Sequence, residues 1–291
     1  MRWDQGHQSD DVEDRRDEGG SSPMGVGGGI GGMHVGLGGL VVLGILSLIF
    51  KTDLLTPILG GGGGGVPVAS RSAPRPKTAE EENLKQFVSF VLDDTQNTWT
   101  KLLPEQQGVA YRHAKLVLFR DGVRSGCGDA EAAMGPFYCP ADERVYVDLN
   151  FYDELKRKFG APGDFAQAYV IAHELGHHVQ NILGIERKVR MAMQQNPRAE
   201  KQLSVLLELQ ADCFAGIWAN STSQRNLLES GDVDEALGAA AAVGDDHIQQ
   251  MSTGRIHPES FTHGSSAQRK EWFGRGMQTG KVTACNTFAT N

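Results

Sequence analysis

The sequence predicts an α+β domain, mostly helical after a small N-terminal sheet and preceded by a single transmembrane helix. Three observations carry that expectation. Two runs with strand character, Lys115 to Phe119 and Arg144 to Leu149, are followed after Phe159 by one helical pattern after another. Met24 to Phe50 holds no Asp, Glu, Lys or Arg and ends in the apolar run Leu40 to Phe50. Gly60 to Gly65 with Pro67, Pro74 and Pro76 then separates that tract from the rest.

Taken in order, residues 1–23 are polar and acidic and read as a disordered cytoplasmic tail. Residues 24–50 read as an uncleaved signal anchor. A cleavable signal peptide would have an unusually long acidic n-region and no suitable cleavage site after Phe50. Residues 51–77 form the linker, and 78–291 the folded domain, which opens on the capping-box pattern Thr78-x-x-Glu81. Thirty-seven glycines in 291 residues look excessive, but the excess falls between Gly19 and Gly65; with 40% hydrophobic residues there is enough for a core. A net charge of -8 and no Lys/Arg-rich run argue against a nucleic-acid partner.

The four cysteines, Cys127, Cys139, Cys213 and Cys285, contain no C-x-x-C pair and lie after the glycine-rich region. They read as two disulfides, which puts the domain outside the cytoplasm. A bridge between Cys127 and Cys139 would close a short loop beside the second strand, leaving Cys213 and Cys285 as the other pair.

Phe151 to Phe159 reads as a short helix broken by Gly160-Ala-Pro-Gly163. Asp164 is placed as the N-cap of a helix from about Phe165 to Leu183, with Phe165, Tyr169, Ala172, Gly176, Val179 and Leu183 on its packed side. Asn196 and Pro197 start a second long helix, to about Ala219. Asp232-x-x-Glu235 caps a third, through Met251, and Ser265 or Ser266 caps a fourth.

The first long helix carries His173-Glu174-x-x-His177. Residues four apart share a helical face, so both imidazoles can reach one ion while Glu174 projects beside them as a general base. Catalytic zinc takes three protein ligands and keeps a fourth position for water. A third histidine in the metzincin manner is absent, since Gln180 and Leu183 stand where Gly and His are required. Glu186, Glu200, Glu208 and Glu229 are candidates, and Glu208 is favoured because Asp212 follows on the same face. A carboxylate there can accept the free N-H of a metal-bound imidazole and fix its tautomer.

The chain resembles the putative neutral zinc metallopeptidases. The resemblance runs through Met1-Arg-Trp3, Val12 to Arg16, the membrane segment, Gly135-Pro-Phe-Tyr-Cys-Pro140, His173 to Gln180, Glu208 to Gly216, Ser260 to Ser266 and Cys285 to Phe288. It implies a zincin-like domain of the gluzincin type and a membrane-anchored zinc peptidase acting on peptides or proteins. Similarity to thermolysin implies that Asp212 serves His173. Thr262 to Arg269 is similar to a His-then-Arg segment of other membrane-associated zinc peptidases, which makes His263 and Arg269 candidates for the oxyanion donor. The competing reading puts His263 in a capping turn and Arg269 in a structural ion pair. The strand Arg144 to Leu149 is expected to be the edge to which an extended substrate adds as a further strand. His247 stands where the family pattern leads one to expect Arg, and is read as an exposed helical histidine; His178 is read as a packing or solvent-facing residue rather than a ligand. Two other functions fit the same ligands: a zinc-stabilised, membrane-tethered binding module, and a zinc amidase.

Overall fold

The structure, a computed structural model, describes residues 1–18, 76–131, 135–157 and 163–289. In chain order the strands are β1 (Val12–Asp14), β2 (Lys115–Phe119), β3 (Gly122–Ser125), β4 (Gly128–Glu131), β5 (Phe137–Cys139) and β6 (Arg144–Asp148). The helices are α1 (Ala79–Gln107), α2 (Asn150–Arg157), α3 (Asp164–Ile182), α4 (Ile185–Gln195), α5 (Glu200–Gln224), α6 (Asp232–Ala242), α7 (Asp245–Thr253) and α8 (Ser266–Thr279).

The main sheet has the order β1-β2-β6-β5, parallel except for β5, which runs antiparallel to β6. Alternation along β2 and β6 explains its two faces. Leu116, Leu118, Val145 and Val147 enter the large core with Phe87, Val91 and Leu92 of α1 and Phe165 and Ile171 of α3. Val117, Phe119 and Tyr146 face the other way with Cys139, under Val123 and Phe137. Behind the sheet lies the helical layer, with α3 buried along most of its length.

Of the caps expected at Thr78, Asp232 and Ser265, the first and last form and the second does not, since Gly231 is the N-cap of α6 and Asp232 its first residue, with no side-chain cap. Thr78 accepts from the Glu81 amide at the start of α1, and Ser265 from the Gln268 amide at the start of α8. Elsewhere the boundaries move. Gly163 is the N-cap of α3 and Asp164 its first residue. The left-handed Gly184 ends that turn and opens the separate helix α4, so α5 starts only after the 3-10 turn Pro197–Ala199. The third expected helix is two, α6 and α7, divided at Gly244, whose position leaves Asp245 free to begin a new helix.

The expectation of a disordered acidic tail over residues 1–23 is overturned for residues 1–18, while 19–23 lie outside the described residues. Residues 1–18 lie on the domain. β1 pairs in parallel with β2, Val12 opposite Leu116, and the Arg15 amide donates to the Leu118 carbonyl over 2.8 Å. Trp3 packs edge-on against Phe87 at 5.4 Å, and buried Arg16 bridges Asp14 and Glu82. The Met1 ammonium donates to Asp164, the first residue of α3, over 2.7 Å. Single apolar anchors, ion pairs and backbone pairing hold this stretch, which is why its composition concealed it.

Lys77 reaches Asp14 at 3.2 Å and Asp17 at 2.7 Å, so residues 17 and 77 sit side by side on one body. The expected transmembrane segment 24–50 and the linker up to residue 75 lie outside the described residues. Among the described residues, no helix is long and apolar enough to cross a membrane.

Both expected disulfides are present, Cys127 to Cys139 and Cys213 to Cys285. The first ties the β3-β4 turn to β5; the second ties α5 to the C-terminal turn Val282–Cys285.

Candidate metal centre

The centre forms where α3 and α5 cross with their backbones in contact. A Cβ on Gly176 would lie 2.9 Å from the Ala211 carbonyl oxygen and 3.1 Å from its Cα, so only glycine allows this approach. Gly176 is the fourth residue of the His-Glu-Leu-Gly-His motif, and it brings His173 and His177 up to Glu208 and Asp212. A second close crossing, Gly216 of α5 against Phe273 and Gly276 of α8 against Cys213, draws α8 in and sets Arg269 beside Asp212.

His173, His177 and Glu208 offer one donor atom each within 4.8 Å of one another. The His173 Nε2 to Glu208 Oε2 distance is 3.2 Å and that from His177 Nε2 to Glu208 Oε1 is 3.6 Å. Two ligands on tetrahedral zinc with arms of about 2.0 to 2.2 Å lie roughly 3.3 to 3.6 Å apart, close to each of these distances, although they run to different oxygens of Glu208; two imidazoles and a carboxylate are donors of the type zinc takes. The charges agree. Burial lowers the affinity of His173 for a proton, but Asp212 and Glu208 outweigh it and push its pKa up to about 10. Burial likewise opposes, and Glu208 reverses, the shift at His177, while the imidazoles hold Glu208 well below the usual carboxylate range against its own desolvation. Such a site calls for positive charge at its middle.

Each imidazole is held from behind. His173 Nδ1 donates to Asp212 Oδ1 over 2.9 Å. Asp212 is fully buried and also accepts from the Tyr169 hydroxyl at 2.5 Å and from Arg269 Nε and Nη2 at 2.8 and 2.9 Å. His177 Nδ1 donates to Gln180 Oε1 over 2.9 Å, and Gln180 anchors itself on the Leu207 carbonyl at 2.7 Å. With both Nδ1 atoms committed, both Nε2 atoms face the centre.

Glu174 is 8% exposed and lines the same cleft, a cavity of about 1200 Å³. Burial raises its carboxyl pKa, against the neighbouring imidazoles. His263 also lines the cleft, its side chain 30% exposed. Asp245 Oδ2 accepts the backbone amides of Thr262, His263 and Gly264, and Asp245 Oδ1 lies 3.2 Å from His263 Nδ1, which leaves Nε2 toward the cleft. Burial lowers the His263 pKa, but Asp245 and Glu208 raise it further, to a net increase.

Arg269 is placed differently from its expected role as oxyanion donor. It is 3% exposed, and four of its five N-H groups are taken, two by Asp212, one by the Tyr169 hydroxyl and one by the Val243 carbonyl. The ion-pair reading describes it. The other candidate ligands fall away: Glu186 pairs with Arg190, Glu200 begins α5 two turns before Glu208, and Glu229 lies beside Met1. His247 is half-buried on α7 and lies outside the cleft lining. His178 is completely buried, and burial lowers its pKa. The edge position proposed for Arg144 to Leu149 is also corrected, because β6 lies between β2 and β5; the edge that lines the cleft is β5.

Three residues escaped the sequence reading. Tyr169 lies four residues before His173 and Gln180 three after His177, so helical spacing alone placed them on the motif's face. Asp245 carried no such signal, since its bond to His263 joins separate elements.

Three donors leave one position of a tetrahedral ion unfilled, where a closed structural site spends four. The chain belongs to the family described as putative neutral zinc metallopeptidase, which matches residues 1–288, and zinc is accordingly its metal. It is 48% identical over 294 residues to the uncharacterised Escherichia coli K12 protein YpfJ, covering 99% of each chain. It is 45% identical over 202 residues to the uncharacterised Mycobacterium tuberculosis H37Rv protein Rv2575, covering 66% of each. No solved structure matches the chain.

Proposed function

We propose that this protein is a gluzincin-type peptidase that hydrolyses peptide bonds, with His173, His177 and Glu208 as the zinc ligands and Glu174 as general base. The observation that carries the reading is the placement of Glu174. It lies in the cleft wall beside the three donors, outside the ligand set, where a purely structural metal site has no use for a carboxylate.

Zinc held by His173, His177 and Glu208 would supply a water of lowered pKa and a Lewis acid for the scissile carbonyl. Glu174 takes the proton of the attacking water and delivers it to the leaving amine. Its desolvated carboxyl suits both halves of that transfer. Asp212 and Gln180 keep His173 and His177 in the tautomer that presents Nε2. His263, oriented by Asp245, donates its Nε2 proton toward the developing oxyanion. An extended substrate adds to the edge of β5 that has no ladder partner among the described residues. That edge favours a peptide backbone over a cell-wall amide, because a β edge recognises repeating N-H and C=O groups.

The two disulfides support an oxidising compartment outside the cytoplasm. Residues 24–50 are the proposed membrane attachment, and any such attachment has to leave residues 1–18 and the domain on one face.

The test is incubation of the zinc-loaded protein with a mixed peptide library and with cell-wall fragments, with and without chelator. Chelator-sensitive peptide cleavage is expected, and Glu174→Gln should keep zinc while losing turnover by at least about a hundredfold. Cleavage of wall fragments alone would establish the amidase reading. An undiminished rate in Glu174→Gln would remove Glu174 as the base.

A further inference from the structure

The block Gly135 to Pro140 takes no part in the chemistry above, yet Gly135, Pro136, Phe137 and Tyr138 form one wall of the cleft. We propose that Tyr138 and His178 are a positioning pair that fixes the substrate-binding edge of β5 at a set distance from the metal-ligand helix. The inference rests on the peptidase reading.

The direction of each hydrogen bond is settled by elimination. His178 Nε2 lies 2.7 Å from the Arg112 carbonyl oxygen, which can only accept, so Nε2 carries a proton. The ring is completely buried and neither nitrogen meets a carboxylate, so it is neutral and Nδ1 is an acceptor. The Tyr138 hydroxyl, 2.9 Å from Nδ1, therefore donates to it. The same hydroxyl accepts from Asn181 Nδ2 at 3.0 Å. Its only proton is thus committed to α3, which excludes it as a donor to substrate.

These ties matter because β5 has little else to set its position. It is three residues long and has one ladder partner, β6, among the described residues. Phe137 stacks on Tyr146 at 4.8 Å and Cys139 is held by Cys127, both on the face of the sheet opposite the helical core. Tyr138 alone of the three faces the helical core and reaches α3. His178 is the neighbour of His177, so the strand and the metal ligand are referred to one rigid helix. A substrate strand adding to β5 would lie about 4.8 Å beyond it. A shift of about 1 Å in such an edge carries through to the scissile bond, where it is costly.

The test uses Tyr138→Phe, which keeps the ring and removes the hydroxyl, and the double variant Tyr138→Phe/His178→Leu. In Tyr138→Phe the zinc content should be unchanged. KM should rise about tenfold for peptides long enough to run the length of β5, with kcat nearly constant, and a blocked dipeptide substrate should be cleaved as by the parent. The double variant also leaves the Arg112 carbonyl without its donor, so it should melt below Tyr138→Phe, while KM for long peptides stays raised and the dipeptide is still cleaved as by the parent. Recovery of KM in the double variant, equal slowing of long and short substrates, or unchanged kinetics would each overturn the positioning role. If the parent protein itself cleaves no peptide, the peptidase reading fails, a result distinguishable from all of these.

Discussion

The two imidazoles of the centre sit one helical turn apart, yet they are held by opposite kinds of support. His173 leans on a charged network: Asp212 is completely buried and shared among His173, Tyr169 and Arg269. His177 leans on a neutral amide, Gln180, itself held by the Leu207 carbonyl and by the Gln210 side chain. A buried carboxylate makes its imidazole a stronger donor but has to be charge-compensated, and Arg269 is that compensation. An amide fixes the tautomer without adding charge, and so needs no cation beside it. The asymmetry therefore accounts for the third helix in the site: α8 is drawn onto α5 because the His173 side requires an arginine.

The largest effect follows from breaking the charged side. Asp212→Ala leaves the Arg269 guanidinium buried without its carboxylate, and removing one partner of a buried pair costs about 3 to 5 kcal/mol. Zinc affinity should fall by about 10 to 100-fold, because His173 loses the acceptor that fixes its Nδ1. Thermal denaturation and competition with a fluorescent chelator read the two losses separately. Adding Arg269→Met to Asp212→Ala should return part of the stability and none of the affinity. Equal recovery of both would mean that Arg269 acts on the metal directly.

Gln180→Ala probes the neutral side and should be milder. It frees one imidazole N-H and strands no charge, so a cost of about 1 to 3 kcal/mol is expected, with a loss of zinc affinity toward the lower end of the range for such partners, about tenfold. If Gln180→Ala and Asp212→Ala weaken zinc equally, the distinction between charged and neutral support has no functional content.

The same contrast explains what the sequence could convey. The metal centre was legible because its parts lie on two helices at fixed spacings: His173 to His177 on one, Glu208 to Asp212 on the other. The caps at Thr78 and Ser265 were legible for the same local reason, as were the strands β2 and β6 from their alternation. Residues 1–18 were misread because their ordering depends on partners far along the chain, Val12 on Leu116 and Arg16 on Glu82. Arg269 was misjudged because the pattern around it shows a cation near the centre but not the carboxylate of α5 that occupies it. The edge strand was misassigned because β5, at three residues, is too short for its period to register, although its Gly-Pro-Phe-Tyr-Cys-Pro setting marked the place.

The smallest expected effect lies across the cleft, where a third histidine is supported in yet another way. Asp245 holds the backbone of Thr262, His263 and Gly264 as well as the His263 ring, so Asp245→Asn keeps an acceptor for the loop and removes only the charge. The His263 pKa is raised in the folded protein, and without the Asp245 charge it should drop, burial then acting with less opposition. If protonated His263 assists turnover, the alkaline fall in kcat/KM should move to lower pH in Asp245→Asn, with zinc content unchanged. The stability contributed by His263 is fully present below the unfolded imidazole value and fades as pH rises through the raised folded value. That of Asp245, whose folded pKa is lowered, is present above the unfolded carboxylate value and fades on acidification. The variant should therefore lose most stability between about pH 4 and pH 6.5, where both partners are charged, and least at the extremes. An alkaline limb that stays in place while stability falls in that window would assign the dyad to holding the loop alone.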